Sequence, residues 1–70
     1  MQEVTINTGF IKLSSLLKLT GTTQTGGEAK FFITEGLVKV NGDVCKSKGK
    51  KLYNNDIVSF EGTDYIVKVS

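Results

Sequence analysis

The sequence predicts an α+β fold, two short helices packed on a small, mostly antiparallel sheet, in the order β-α-α-β-β-β-β. Three observations predict it. Apolar stripes at helical spacing occur twice in the first half, the apolar period changes to two after Gly36, and turn residues then recur at short intervals.

The elements follow in order. Val4 and Ile6 alternate with Glu3, Thr5 and Asn7, the pattern of a short half-buried strand, and Gly9 breaks it. Over residues 12–20 the leucines stand at Leu13, Leu16 and Leu17, the i, i+3, i+4 spacing that shares one helix face, with Gly21 placed as a left-handed cap. Residues 22–25 are a polar linker, and Thr25-Gly26-Gly27-Glu28 matches a capping box, in which the Thr hydroxyl takes an amide and the Glu reaches back. Ala29, Phe32 and Ile33 repeat the helical stripe, and Gly36 terminates it. The two helices are expected to lean on each other's apolar faces.

Val38 and Val40 then alternate with Leu37 and Lys39, and Asn41-Gly42 supplies the two positive-φ positions of a type I′ turn, so a tight hairpin returns through residues 43–45. Residues 46–51 contain four lysines and no apolar side chain, and read as an exposed loop. Leu52 and Tyr53 return toward the core. Asn54-Asn55-Asp56 turns the chain, 57–60 is a strand, Glu61-Gly62-Thr63-Asp64 turns it again, and Tyr65, Val67 and Val69 share a face of the last strand.

Seventy residues amount to one small domain, 1–70, whose core leaves only a few kcal/mol after chain entropy is offset. A deep catalytic cavity is not expected in it. The chain has no His and no Arg, and its one cysteine, Cys45, has no imidazole to activate it. Zinc sites of Cys and His are excluded by count, and so is an intrachain disulfide, which fits a reducing compartment. Neither a basic leader nor an apolar run of membrane-spanning length is present, so a cytoplasmic location and no membrane partner are expected.

The formal charge of +2 is too small to imply a partner, but its distribution is uneven. Residues 1–45 carry four lysines and four acids, 46–51 four lysines and no acid, and 52–70 one lysine and three acids. The loop holding Lys46, Lys48, Lys50 and Lys51 could neutralise phosphates, or simply be a solvated face. The start of the second helix is the other candidate: Gly26 and Gly27 let an anion approach the backbone, and Lys30 lies one turn in. The capping box alone also explains Thr25 and Glu28.

Phe31 stands about 200° around the helix from Ala29, where it either stacks on an unpaired base or packs on a neighbouring element. Gly21 and Gly26 have phosphate-loop spacing, but Gly27 occupies the lysine position, so a nucleotide-binding P-loop is rejected. Cys45 reads as a small half-buried hydrophobe, and Asp56, Glu61 and Asp64 as turn residues. No constellation reaches the standard of an enzyme site, and neither a cofactor nor a small-molecule substrate is expected.

Residues 25–42, TGGEAKFFITEGLVKVNG, resemble the αL RNA-binding motif of the ribosomal S-four-type domain, whose pattern is S-R-x-x-A-x-x-L-I-x-x-G-x-V-x-V-N-G. Thr25 stands for the Ser, Ala29 for the Ala, Phe32 and Ile33 for the Leu-Ile pair, and Gly36 for the Gly. Val38, Val40, Asn41 and Gly42 stand for the V-x-V-N-G ending. Asn55-Asp56-Ile57 is similar to the family's Gly-Asp-x-Ile turn, and T-G-G-x-A-K and K-L-Y resemble the small stand-alone bacterial YaaA-like members. Gly26 takes the place of the usual Arg, leaving Lys30 and the lysine loop to compensate, and Asn55 that of the usual Gly, which the left-handed tolerance of Asn allows.

The resemblance implies a non-catalytic, ribosome-associated protein that binds structured ribosomal RNA, with a role in ribosome assembly. The RNA surface so implied joins Thr25, Gly26, Gly27, Lys30 and Phe31 with Lys46, Lys48, Lys50 and Lys51. Lysine acts as a flexible point charge where Arg would read groups bidentately, so backbone and shape recognition are expected. The alternative is a protein-interaction module docking on a ribosomal or other protein, with the lysines serving solubility. Oligomeric state is not legible.

Overall fold

The computed structural model describes residues 1–25 and 27–70, with Gly26 counted only as the first residue of a helix. Its elements run β1 (Gln2–Ile6), β2 (Ile11–Lys12), α1 (Leu13–Leu19), α2 (Gly26–Thr34), β3 (Val38–Val40), β4 (Asp43–Val44), β5 (Lys51–Leu52), β6 (Ile57–Phe60) and β7 (Thr63–Val69). The main sheet has the order β1-β7-β6-β3-β4, parallel only between β1 and β7.

Register explains why one face of this sheet is apolar. Val38 is opposite Phe60, Val40 opposite Val58, Val58 opposite Tyr65, and Val4 opposite Val67, and residues directly opposite point to the same side. All of these are buried, together with Leu13, Leu16 and Leu17 of α1 and Ala29 and Ile33 of α2. The helices therefore lie on one face. Each fully buried Leu or Ile contributes about 1.5–3 kcal/mol from removal of its side chain from water.

Turn chemistry is as the sequence expects. Asn41 and Gly42 have φ of 52° and 89°, Gly21 and Gly36 lie at 79° and 78°, and Asn55 sits at 75° in the left-handed region. Glu61 and Gly62, at 52° and 78°, repeat the arrangement between β6 and β7. Asn41 and Asp56 then tie two turns together. The Asn41 amide donates to Asp56 Oδ1 (3.2 Å), Asn41 Oδ1 accepts from the Ile57 N–H (2.9 Å), and Asp56 Oδ2 accepts from the Tyr53 N–H (2.7 Å). The linker before α2 is similarly used: Thr20 and Thr22 hydroxyls connect at 2.7 Å, and Thr22 lies 3.2 Å from the Tyr65 hydroxyl.

Two expectations need correcting. Lys51 is not a loop residue: it pairs with Lys12 in a second, two-stranded antiparallel ribbon, with Ile11 opposite Leu52. Tyr53 does not return to the core either, and is 52% exposed, because Leu52 takes the inward position and alternation turns its neighbour out.

Candidate nucleic-acid interface

Helix α1 begins without a side-chain cap. Its first amides are satisfied instead by the lysine loop, whose Lys50 carbonyl accepts from the Leu13 N–H (2.9 Å) and whose Lys48 carbonyl accepts from the Ser14 N–H (3.2 Å). The Lys50 N–H closes a turn on the Ser47 carbonyl at 3.2 Å. The loop is thus fixed by its backbone while its lysine side chains remain exposed.

Helix α2 starts nearby, at Thr25. Its hydroxyl accepts from the Glu28 N–H (3.2 Å), while Glu28 Oε1 accepts from the Gln24 N–H (2.7 Å). The reciprocal arm of the capping box therefore reaches one residue further back than the usual partner, the cap's own amide.

Between these segments lies an open groove of about 390 Å³, lined by Lys12, Ser14, Gly27, Lys30, Lys48 and Gly49. It joins α2 to the lysine loop. Among the described residues its lining holds three lysines and no carboxylate. Such a concave cluster of cations beside a glycine at a helix start suits a phosphate group, because the ammoniums can approach the anion from several sides.

Of the residues the sequence singles out, Gly27, Lys30 and Lys48 come together in this groove. Thr25 caps α2 beside it. Lys46 and Lys50 face a different depression, with Val40, Asn41, Asp43, Val44 and Cys45. Phe31 is 58% exposed on α2 and meets Phe32 edge-on at 5.7 Å, outside the groove lining. Gly26 lies outside the described residues. Cys45 is half-buried, with its Sγ 3.7 Å from the Ser47 carbonyl oxygen.

Sequence reasoning missed Lys12, Ser14 and Gly49. Lys12 stands alone in the sequence, so a count of charge by segment hides it, yet its pairing with Lys51 brings it to the loop. It also missed the aromatic neighbours of Lys51. The Lys51 ammonium lies 4.9 Å from the centroid of the Phe10 ring, and Phe10 and Tyr53 are 6.2 Å apart, tilted by 49°. A cation held over a ring at an exposed site gains about 0.5–1 kcal/mol.

The S4 domain model matches residues 4–68. The chain belongs to the S4 domain family. Within it, the chain is 42% identical over 59 residues to RlbA of Bacillus subtilis (strain 168), named as a probable ribosome maturation protein, covering 84% of this chain and 83% of that one. It is 44% identical over 52 residues to YbcJ of Escherichia coli (strain K12), covering 74% of each. The solution structure of YbcJ from E. coli, described as revealing an αL motif involved in RNA binding, superposes with a TM-score of 0.75 at 36% identity, over 99% of this chain and 89% of that one. The S4e protein of the Thermoplasma acidophilum 30S ribosome shares the fold, with a TM-score of 0.64 at 23% identity over 86% of this chain and 32% of that one. The S4 domain resemblance read from residues 25–42 is therefore correct, and so is the αL fold it implies. Among the described residues no helix is long and apolar enough to cross a membrane.

Proposed function

We propose that residues 1–70 act as one αL-type RNA-binding unit, non-catalytic and cytoplasmic, that grips structured ribosomal RNA through its phosphates and serves ribosome maturation. The observation that carries this reading is the groove that brings Lys12, Lys30 and Lys48 together around Gly27 without a carboxylate in its described lining. The names and descriptions of RlbA and YbcJ support it. Lysine ammoniums supply charge without the planar fork of Arg, so affinity comes from counterion release and the fit to an RNA shape more than from base sequence.

The test is RNA binding as a function of salt. The wild-type protein should bind structured ribosomal RNA fragments with log K falling linearly against log salt. Replacing Lys12, Lys30 and Lys48 with Gln should weaken binding and make the slope shallower by about 2–3, at roughly 0.7–0.9 per neutralised phosphate. Exposed lysines contribute little to folding, so the melting temperature should hold. A flat salt response in the wild type would overturn the reading.

A further inference from the structure

We propose that Phe10 and Tyr53 form a stacking platform for one unpaired nucleobase, placed so that phosphates of the same RNA strand meet Lys12 and Lys51. This rests on the RNA-binding reading above and adds to it a site for a base, where the groove accounts only for phosphates.

The β2–β5 ribbon dictates the arrangement. Ile11 is opposite Leu52 and Lys12 opposite Lys51, so the same antiparallel register carried one step outward puts Phe10 opposite Tyr53. Leu52 is fully buried and Ile11 packs against the core. Alternation then sends Phe10, Tyr53, Lys12 and Lys51 to the other, outward side. One small surface therefore presents two aromatic rings and two cations, and its Lys12 is also a wall of the phosphate groove.

The rings are poorly explained by packing alone. Phe10 is 39% exposed and Tyr53 52% exposed. Their tilt of 49° at 6.2 Å leaves them in contact without covering each other face to face. Their backbones are nevertheless held in place. Tyr53 donates its N–H to Asp56 Oδ2 (2.7 Å) and accepts from the Asp56 N–H (3.0 Å), while the Phe10 carbonyl accepts from the Thr8 hydroxyl (2.8 Å). A platform already ordered before binding loses less freedom when a base arrives. Lys51, 4.9 Å from the Phe10 ring centroid, is held weakly enough to turn toward a phosphate. Aromatic faces interleaved with a cationic track are what single-stranded segments of RNA require, since every base has a π-face and every linkage a charge.

Two RNA probes separate this subsite from the groove: a blunt duplex, and the same duplex with an unpaired single-stranded extension. The full-length protein should bind the extended probe more tightly. Changing Phe10 and Tyr53 together to Leu should remove that advantage, weakening the extended probe about tenfold or more while leaving the blunt duplex unchanged. The Gln variants of Lys12, Lys30 and Lys48 should weaken both probes. Should the double Leu variant fold poorly, Tyr53→Trp provides the only tryptophan of the chain, and its fluorescence should be quenched by the extended probe and not by the blunt one. Equal binding of the extended probe by wild type and Leu variant, or an unresponsive Trp, would leave the rings to packing or to a protein partner and overturn the subsite alone. Failure of the wild type to bind either probe at low salt would overturn the RNA-binding reading and the subsite with it.

Discussion

The Asn41–Gly42 turn and the 46–50 loop look alike as sequence, since both are polar, exposed and contain glycine, yet they use their polar groups in opposite ways. Asn41 commits both ends of its side-chain amide to the protein itself, to Asp56 and to the Ile57 backbone. The loop satisfies α1 with carbonyls of Lys48 and Lys50 and leaves its ammoniums to solvent. The most recognisable letters of the S4 domain motif thus hold the fold, while the cations that face the groove stand at less distinctive positions. Motif strength and proximity to the ligand are separate properties here.

The largest test of that division is Asn41→Ala. It removes two side-chain hydrogen bonds and places an ordinary residue at φ 52°, which together should cost about 2–3 kcal/mol and lower the melting temperature by roughly 10–20 °C. RNA affinity measured well below the transition should be unchanged; a loss there would mean that the turn itself touches RNA. Thr23 belongs to neither class, being buried with a hydroxyl that has no partner among the described residues. Thr23→Val should therefore raise stability by about 1 kcal/mol in urea unfolding, because an unpaired hydroxyl is removed without a change of shape. A loss of stability would reveal a partner for that oxygen. The smallest effect is expected at Gly27. A Cβ added there would meet only Thr25 Oγ1, at 3.8 Å, and no positive φ requires glycine, so Gly27→Ala should stabilise α2 by about 0.5 kcal/mol. If the groove holds a phosphate against the helix start, the same methyl should weaken RNA binding; unchanged affinity would move the phosphate away from Gly27.

Most of the fold was legible because its signals are local. The leucine stripe of α1, the Thr25 cap and the Asn41–Gly42 turn each act over three or four residues, and each formed where expected. The β2–β5 ribbon was not legible, because two residues carry no period and their partners lie 41 and 39 positions away. That one omission misplaced Lys51 and Tyr53 and concealed Lys12. Lys48 could be found from the charge of its segment and Lys30 from its place one turn into the second helix, whereas the divergence of Lys46 and Lys50 from them depends on how the loop is pinned to α1, which only the tertiary structure decides.

The parallel pairing of β1 with β7 also sets an order of events. Gln2 is aligned with Tyr65 and Ile6 with Val69, so the first strand of the domain is joined to its last. Until residues 63–69 exist, Val4 and Ile6 have no ladder to join and remain available to other surfaces. Closing contacts across nearly the whole chain is slow relative to forming the local helices and hairpins. Assembly of the main sheet consequently waits for β7, and the apolar side chains of β1 are the part most in need of protection until then.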